Sequence, residues 1–282
     1  MYLGEVVKRI RRNRGYSQVY VSKNIISQST YSKFEAGVSN LEIDVYIQLL
    51  NNLNIDFEEV IFIRNSYNYE PKQLILKQFF TMNYNNIEKL EELRITIDEF
   101  LKKKQDLDIE EIQTVCNAFL HLHLTKDIEL TKIMIQPIWN RISKYEQWYF
   151  NDIRLINTIL FLFPVNIATE FTQSVLARLD KYKDFREAEL LKTSFVVNLS
   201  LLLIKEKKYV KAYEIIDDSL NKYQRKMNYT ILALYFSRKA ICSFHLGKED
   251  SIVFLKKAQN LTLLYDDVEY WERIQKEYNY YT

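Results

Sequence analysis

YSQVYVSKNIISQSTYSKFEAG, residues 16–37, decides the fold of the first third of this chain. Ser17 and Ser27 each precede a helix-patterned run, where a serine hydroxyl accepts a hydrogen bond from the free amides of a first turn. The spacing predicts two short helices joined tightly, the second running from Ser27 to about Glu35. On it Tyr31 and Phe34 lie three apart and face inward, which leaves Gln28, Ser29, Ser32 and Lys33 outside. Upstream, Leu3, Val6, Val7 and Ile10 draw an apolar stripe along an opening helix whose remaining surface carries Lys8, Arg9, Arg11, Arg12 and Arg14. Downstream, IDVYIQLLNNLNI (43–55) supplies the apolar run that closes a small core. This order is that of a helix-turn-helix.

Charge supports a polyanionic partner. The whole chain carries a formal net charge of only +2. Residues 1–33, however, hold seven Lys and Arg against the single acid Glu5, whereas residues 34–66 hold Arg64 against six acids. Basic charge is thus concentrated on the elements that would meet DNA phosphates. Glutamine and lysine reach adenine and guanine edges in the major groove, and serine contacts base or phosphate. The expected DNA-binding set is Arg11, Arg12, Gln18, Gln28, Ser29, Ser32 and Lys33.

With 282 residues, only 4 Gly and 3 Pro, and long runs of helical periodicity, the class is all-α: an N-terminal helix-turn-helix domain followed by a tetratricopeptide-like α-solenoid. RNSYNYEP (64–71) interrupts the period, and Pro71 suits the first turn of a new helix. The boundaries read 1–66 for the DNA-binding domain, 67–71 for a linker and 72–282 for the repeat domain. Helices are expected at 72–82, 84–104, 108–123, 126–144, 146–163, 165–182, 185–205, 209–224, 227–246 and 249–264. No apolar run approaches the ~18 residues of a membrane span, and no apolar signal core follows the N-terminus. A soluble cytoplasmic protein with no membrane partner is expected. Cys116 and Cys242 sit inside apolar helical runs, as reduced buried thiols do.

VCNAFLHL, LINTILFL and VVNLSLLL set Asn117, Asn157 and Asn198 in one context at separations of 40 and 41 residues, and a further 41 lands on Lys239. A period near 40 made of helix pairs is the mark of a solenoid with a concave binding surface. Asparagine is a poor helix former and costs free energy when buried without partners, so its recurrence needs a shared reason. An asparagine amide can donate to a carbonyl and accept from an amide of an extended peptide whatever its side chains. The alternative is that each bonds a neighbouring helix and sets packing. Arg154, one turn before Asn157, could meet a peptide carboxylate or an interhelical acid. The expected peptide-binding set is Asn117, Arg154, Asn157, Asn198 and Lys239.

Enzymatic patterns are wanting. His121 and His123, two apart, point to different helix faces and cannot form the i,i+4 zinc pair of metallohydrolases. Cys116 lacks the oriented acid that a Cys–His nucleophile needs. No glycine-rich phosphate loop occurs, so neither catalysis, cofactor nor metal is expected. The 21 Tyr and 16 Phe follow helical periods and read as core rather than as a platform for single strands. Tyr278, Tyr280 and Tyr281 pack either a final helix cap or a second protomer.

The order of parts, with STYSKFEAG (29–37), LNNLNIDFEEV (50–60) and YEQWYFNDIRLINTILFLF (145–163), resembles the Rgg family of transcriptional regulators over nearly the whole chain. The EQW segment after a proline-containing helix is the particular part; the helix-turn-helix is shared with Xre-type repressors generally. The resemblance implies a cytoplasmic homodimer that binds promoter DNA and, in many members, a short secreted signalling peptide taken back into the cell, as in quorum sensing. By matching positions it places the recognition helix at Ser27–Glu35 and the asparagine of the EQW-containing repeat at Asn157. Two departures stand out: Asn24, Ile25 and Ile26 replace the glycine-bearing turn of Xre-type domains, and Ile43 stands where some relatives carry a cysteine that joins protomers. A redox-controlled dimer is therefore not implied. Two functions follow: a regulator whose promoter binding a peptide controls, or a DNA-tethered scaffold that recruits a protein or oligomerises without sensing a peptide.

Overall fold

The computed structural model describes residues 2–185 and 188–282, and every regular element among them is helical. Helix α1 (Leu3–Asn13), α2 (Gln18–Ser22), α3 (Gln28–Glu35), α4 (Ile43–Asn52) and α5 (Phe57–Arg64) surround one core. That core holds Val6, Val7, Ile10, Val21, Tyr31, Phe34, Tyr46, Leu49, Leu50, Leu53, Ile55 and Val60. The two capping serines act as local chemistry predicts: Ser17 Oγ accepts from Tyr20 N and Ser27 Oγ from Thr30 N, both at 3.1 Å. Asn24, at φ 62°, supplies the left-handed residue of the turn, a conformation that asparagine tolerates better than most side chains. Gly4 lets α1 lie against the end of α3, since a Cβ there would stand 2.0 Å from the Phe34 carbonyl oxygen.

The following helices are α6 (Pro71–Thr81), with Pro71 in its first turn, α7 (Ile87–Leu101), α8 (Leu107–Thr125), α9 (Ile128–Ile142), α10 (Phe150–Ile159) and α11 (Val165–Leu179). Then come α12 (Ala188–Lys205), α13 (Tyr209–Tyr223), α14 (Tyr229–His245), α15 (Ser251–Leu264) and α16 (Val268–Tyr281). The chain forms two compact units, Met1–Met82 with Glu92–Glu110, and Asn83–Glu91 with Glu111–Thr282. Within the first, Lys72 Nζ bonds Asp106 at 2.8 Å and Asp108 at 2.7 Å, tying α6 to the start of α8.

In the second unit the sequence period becomes a spacing in space. Helices α10, α12, α14 and α16 pack in succession, with α11, α13 and α15 between them in the chain. Cross-links join residues 40–42 apart: Tyr235 to the Thr193 carbonyl at 2.9 Å, Tyr270 to the Thr230 carbonyl at 2.9 Å, and Arg238 to the Val197 carbonyl. Each repeat thus satisfies a polar group of the next, and register follows from that requirement.

The EQW segment has a structural use. Trp148 donates its indole N–H to the Ile142 carbonyl at 2.9 Å, capping the end of α9, while its ring packs 5.0 Å from Phe171. Trp139 lies 4.2 Å from Phe163 and 4.6 Å from Phe171, so this aromatic cluster joins α9 to α11. Tyr278, on α16, is buried and shares a 3.2 Å hydrogen bond with Ser251 of α15, so this tyrosine of the tail packs within its own chain.

Candidate functional site

The outer surface of α3 exposes Gln28, Ser29 and Lys33, with Ser32 half-buried, while Tyr31 and Phe34 turn inward. Arg9, Arg12, Arg14 and Lys23 are exposed on the same small domain. Arg11 corrects the expected DNA-binding set. It is 8% exposed, its guanidinium bonds both Glu35 carboxylate oxygens at 2.6 and 2.8 Å, and it also donates to the Tyr16 carbonyl at 2.7 Å. A guanidinium committed inside the domain cannot reach phosphate; Arg11 holds α1 to α3 instead.

Glu35 goes on to orient Gln18 and Gln28. A carboxylate only accepts, so the 2.8 Å bond from Gln18 Nε2 to Glu35 Oε2 fixes which way the Gln18 amide points. Gln18 Oε1 must then accept, and it receives Gln28 Nε2 at 2.6 Å. Gln28 is left presenting its carbonyl oxygen and one N–H at the start of α3, a donor and acceptor pair suited to an adenine edge. Ser29 Oγ lies 2.9 Å from Ser27 Oγ, which itself lies 2.8 Å from Thr30 Oγ1. Thr30 is exposed in this hydroxyl cluster, which forms around the Ser27 cap that its own main-chain N–H completes.

Burial alone would raise the Glu35 carboxyl, but hydrogen bonds from Arg11 and Gln18 outweigh it and hold its pKa below the ordinary value. The Glu35 bonds raise Arg11. Tyr31 is pushed far above the usual phenol range, first by burial and then by the Glu35 charge.

In the second unit Asn198 Nδ2 donates to the Asn157 main-chain carbonyl at 3.3 Å and to Asn157 Oδ1 at 3.1 Å. A main-chain carbonyl only accepts, so both amide orientations are fixed. Among the described residues this leaves Asn157 Nδ2 as a donor and Asn198 Oδ1 as an acceptor, both on half-buried residues. The pair thus joins two helices, as the packing alternative has it, and keeps one amide donor and one acceptor for other partners. Asn117 is exposed on α8. Arg154 is half-buried on α10, its guanidinium 5.9 Å from the Phe150 ring. Lys239 does not extend the row. It is 7% exposed, ion-paired with Asp217 of α13 and seated over the rings of Tyr213 at 5.0 Å and Phe254 at 4.4 Å. That correction removes Lys239 from the expected peptide-binding set.

Neither histidine nor cysteine gathers a reactive group. His121 Nε2 lies 3.1 Å from Thr125 Oγ1, and His123 Nε2 lies 2.8 Å from the Tyr84 carbonyl, so the two diverge. Cys116 and Cys242 are free and buried, and burial pushes both thiols up to about 12. Among the described residues no group of His, Cys, Asp and Glu could hold a metal ion, and no helix is long and apolar enough to cross a membrane.

Residues 7–60 match a helix-turn-helix domain, and residues 93–258 match the C-terminal domain of HTH-type transcriptional regulator Rgg. The chain belongs to the Rgg family of HTH-type transcriptional regulators. Its fold is shared with the pheromone receptor Rgg2 of Streptococcus dysgalactiae, at a TM-score of 0.73 and 17% identity over 99% of this chain and 100% of that one. A presumed transcriptional regulator of Listeria monocytogenes EGD-e superposes at a TM-score of 0.77, with 17% identity over 98% of this chain and 96% of the other. Bacillus thuringiensis PlcR, solved in complex with the peptide PapR7 and DNA, has a TM-score of 0.68 and 17% identity over 96% of this chain and 98% of that one. A presumed HTH-type transcriptional regulatory protein of Picrophilus torridus is 35% identical over 85 residues, and the match spans 27% of that relative's length and 28% of this chain.

For this Rgg-family chain, Arg12→Ala should weaken binding to specific and random DNA alike and lower the salt slope by about 1. Gln28→Ala should instead cost about 1–3 kcal/mol of discrimination at one base position. Fluorescence anisotropy with promoter and random-sequence duplexes over a salt series separates them; equal loss on both duplexes for Gln28→Ala removes it from the readers.

A second expectation concerns pH. Glu35 has a folded pKa below its unfolded value, so its stabilisation is complete above roughly 4.3 and is lost as pH falls through the folded pKa. Glu35→Gln leaves the buried Arg11 guanidinium without its counter-charge and should destabilise the domain by about 3–5 kcal/mol near neutral pH. Urea midpoints measured down the acid limb should show wild type and variant converging; a constant difference contradicts the assignment.

Proposed function

We propose that this protein is a cytoplasmic homodimeric transcriptional regulator in which residues 1–66 bind promoter DNA and residues 72–282 hold a short signalling peptide and the partner subunit. The Asn157–Asn198 pair carries the reading: its remaining amide donor and acceptor are the groups that pair with the C=O and N–H of an extended peptide main chain. Asn117 and Arg154 lie on α8 and α10 and would extend the contact, Arg154 toward a carboxylate. Gln28, Ser29, Ser32 and Lys33 face base edges, with Arg12 on the phosphates and Gln18 orienting Gln28. Relatives of the same fold support the pairing of ligands, since PlcR was solved with a peptide and DNA and Rgg2 is a pheromone receptor.

Regulation then needs only linkage. To raise promoter affinity tenfold, the peptide must favour the DNA-competent arrangement by about 1.4 kcal/mol, within reach of one or two net hydrogen bonds. Two domains in one dimer would meet half-sites about one DNA turn apart, or a multiple of it.

The test is retention. Purified protein is incubated with the low-molecular-weight fraction of spent medium from the source organism, and bound species are identified by mass spectrometry. Wild type should keep a short peptide that a folded Asn157→Ala, Asn198→Ala double variant loses. Retention by both moves the site elsewhere, and retention by neither favours a scaffold that recruits a protein instead.

A further inference from the structure

The chain enters its second compact unit at Asn83, leaves it again after Glu91, and returns at Glu111. The entering segment is a built turn. Asn83 Oδ1 accepts from Asn85 N at 3.1 Å, and Asn86 Oδ1 accepts from Lys89 N at 2.9 Å, capping α7. Between these two asparagines stands Tyr84, whose contacts reach two helices. Its ring packs edge-on against Phe119 at 5.4 Å, its carbonyl lies 2.8 Å from His123 Nε2, and its hydroxyl lies 3.3 Å from Thr158 Oγ1.

Phe119 and His123 belong to α8, the helix that exposes Asn117, whereas Thr158 belongs to α10 and is next to Asn157. Thr158 also donates its hydroxyl to the Arg154 carbonyl at 3.1 Å, so it is tied to the turn that carries both ligand-facing candidates on α10. Tyr84 therefore touches the two helices whose relative position a peptide on Asn117, Arg154 and Asn157 would set. Two residues before it in the chain is Met82, the end of the first unit's opening stretch, directly after α6.

We propose that Tyr84 is a positioning residue that reports the ligand state of α8 and α10 to the DNA-binding part of the chain through the turn after α6. A shift of α10 against α8 would pull on these contacts from two sides, because the phenol bonds α10 while the ring and carbonyl meet α8. The turn follows one helix or the other, and α6 is joined to it by a single residue. This inference rests on the peptide-sensing reading above.

Tyr84→Phe removes the α10 anchor and keeps the ring on Phe119; Tyr84→Leu also removes the aromatic contact. Affinity for a labelled fragment of the promoter upstream of the gene is measured with and without the low-molecular-weight fraction of spent medium. Peptide retained by each protein is quantified alongside. In wild type the fraction should change promoter affinity about tenfold, and in Tyr84→Phe less than twofold, while retained peptide stays within threefold of wild type. A purely structural tyrosine would move thermal stability or retention and leave the ratio intact. If wild type and both variants respond equally, the inference is overturned while peptide sensing stands. If wild type itself shows no response, peptide sensing fails, and Tyr84 has nothing to report.

Discussion

The buried carboxylate of Glu35 cannot lie in the dry centre of the first domain without its counter-charge, and that constraint organises what surrounds it. Arg11 neutralises it from α1, Gln18 bonds it from α2, and Glu35 itself ends α3, so three helices are referred to one group. Because the carboxylate only accepts, the orientation of Gln18 and then of Gln28 follows by elimination. The orientation of a surface glutamine is thereby tied to an ion pair in the core, which lowers the rotamer freedom it would lose on binding any partner.

The repeat domain applies the same rule to neutral groups. Asn198, Tyr235, Arg238 and Tyr270 each reach a main-chain carbonyl one repeat away, which makes helix register a matter of satisfying buried oxygens. Arg238 is the strongest of these links. Its guanidinium also holds Glu277 of α16 at 2.7 Å, where burial would raise that carboxyl but the Arg238 charge keeps it low. The asparagine pair makes the same kind of link through primary amides, which among the described residues keep a further donor and acceptor.

Features governed by near neighbours were legible in the sequence. The serine caps, Pro71 at the start of α6 and the boundaries of α6 through α15 depend on residues within a few positions, and they fall close to where periodicity put them. The burial of Arg11 does have a sequence signal: it continues the four-residue series Leu3, Val7 and so stands on the apolar stripe rather than beside it. Lys239 occupies the right register, but its length carries the charge to Asp217 on another helix, which no local pattern encodes. Helix α16 shows the spacing Trp271, Ile274, Tyr278, with Asp267 capping through Tyr270 N at 3.1 Å, yet its charge density hid it. The Tyr84 anchor joins residues 39 and 74 positions distant and could emerge only from the folded chain.

If peptide and promoter DNA bind one linked equilibrium, each must change the other's affinity by the same factor. The decisive measurement is therefore reciprocal titration of the peptide isolated from the protein: its affinity with and without saturating promoter duplex, set beside promoter affinity with and without saturating peptide. Equal factors, both different from one, are what this account predicts. A peptide that binds with the same affinity whether or not DNA is present would contradict it.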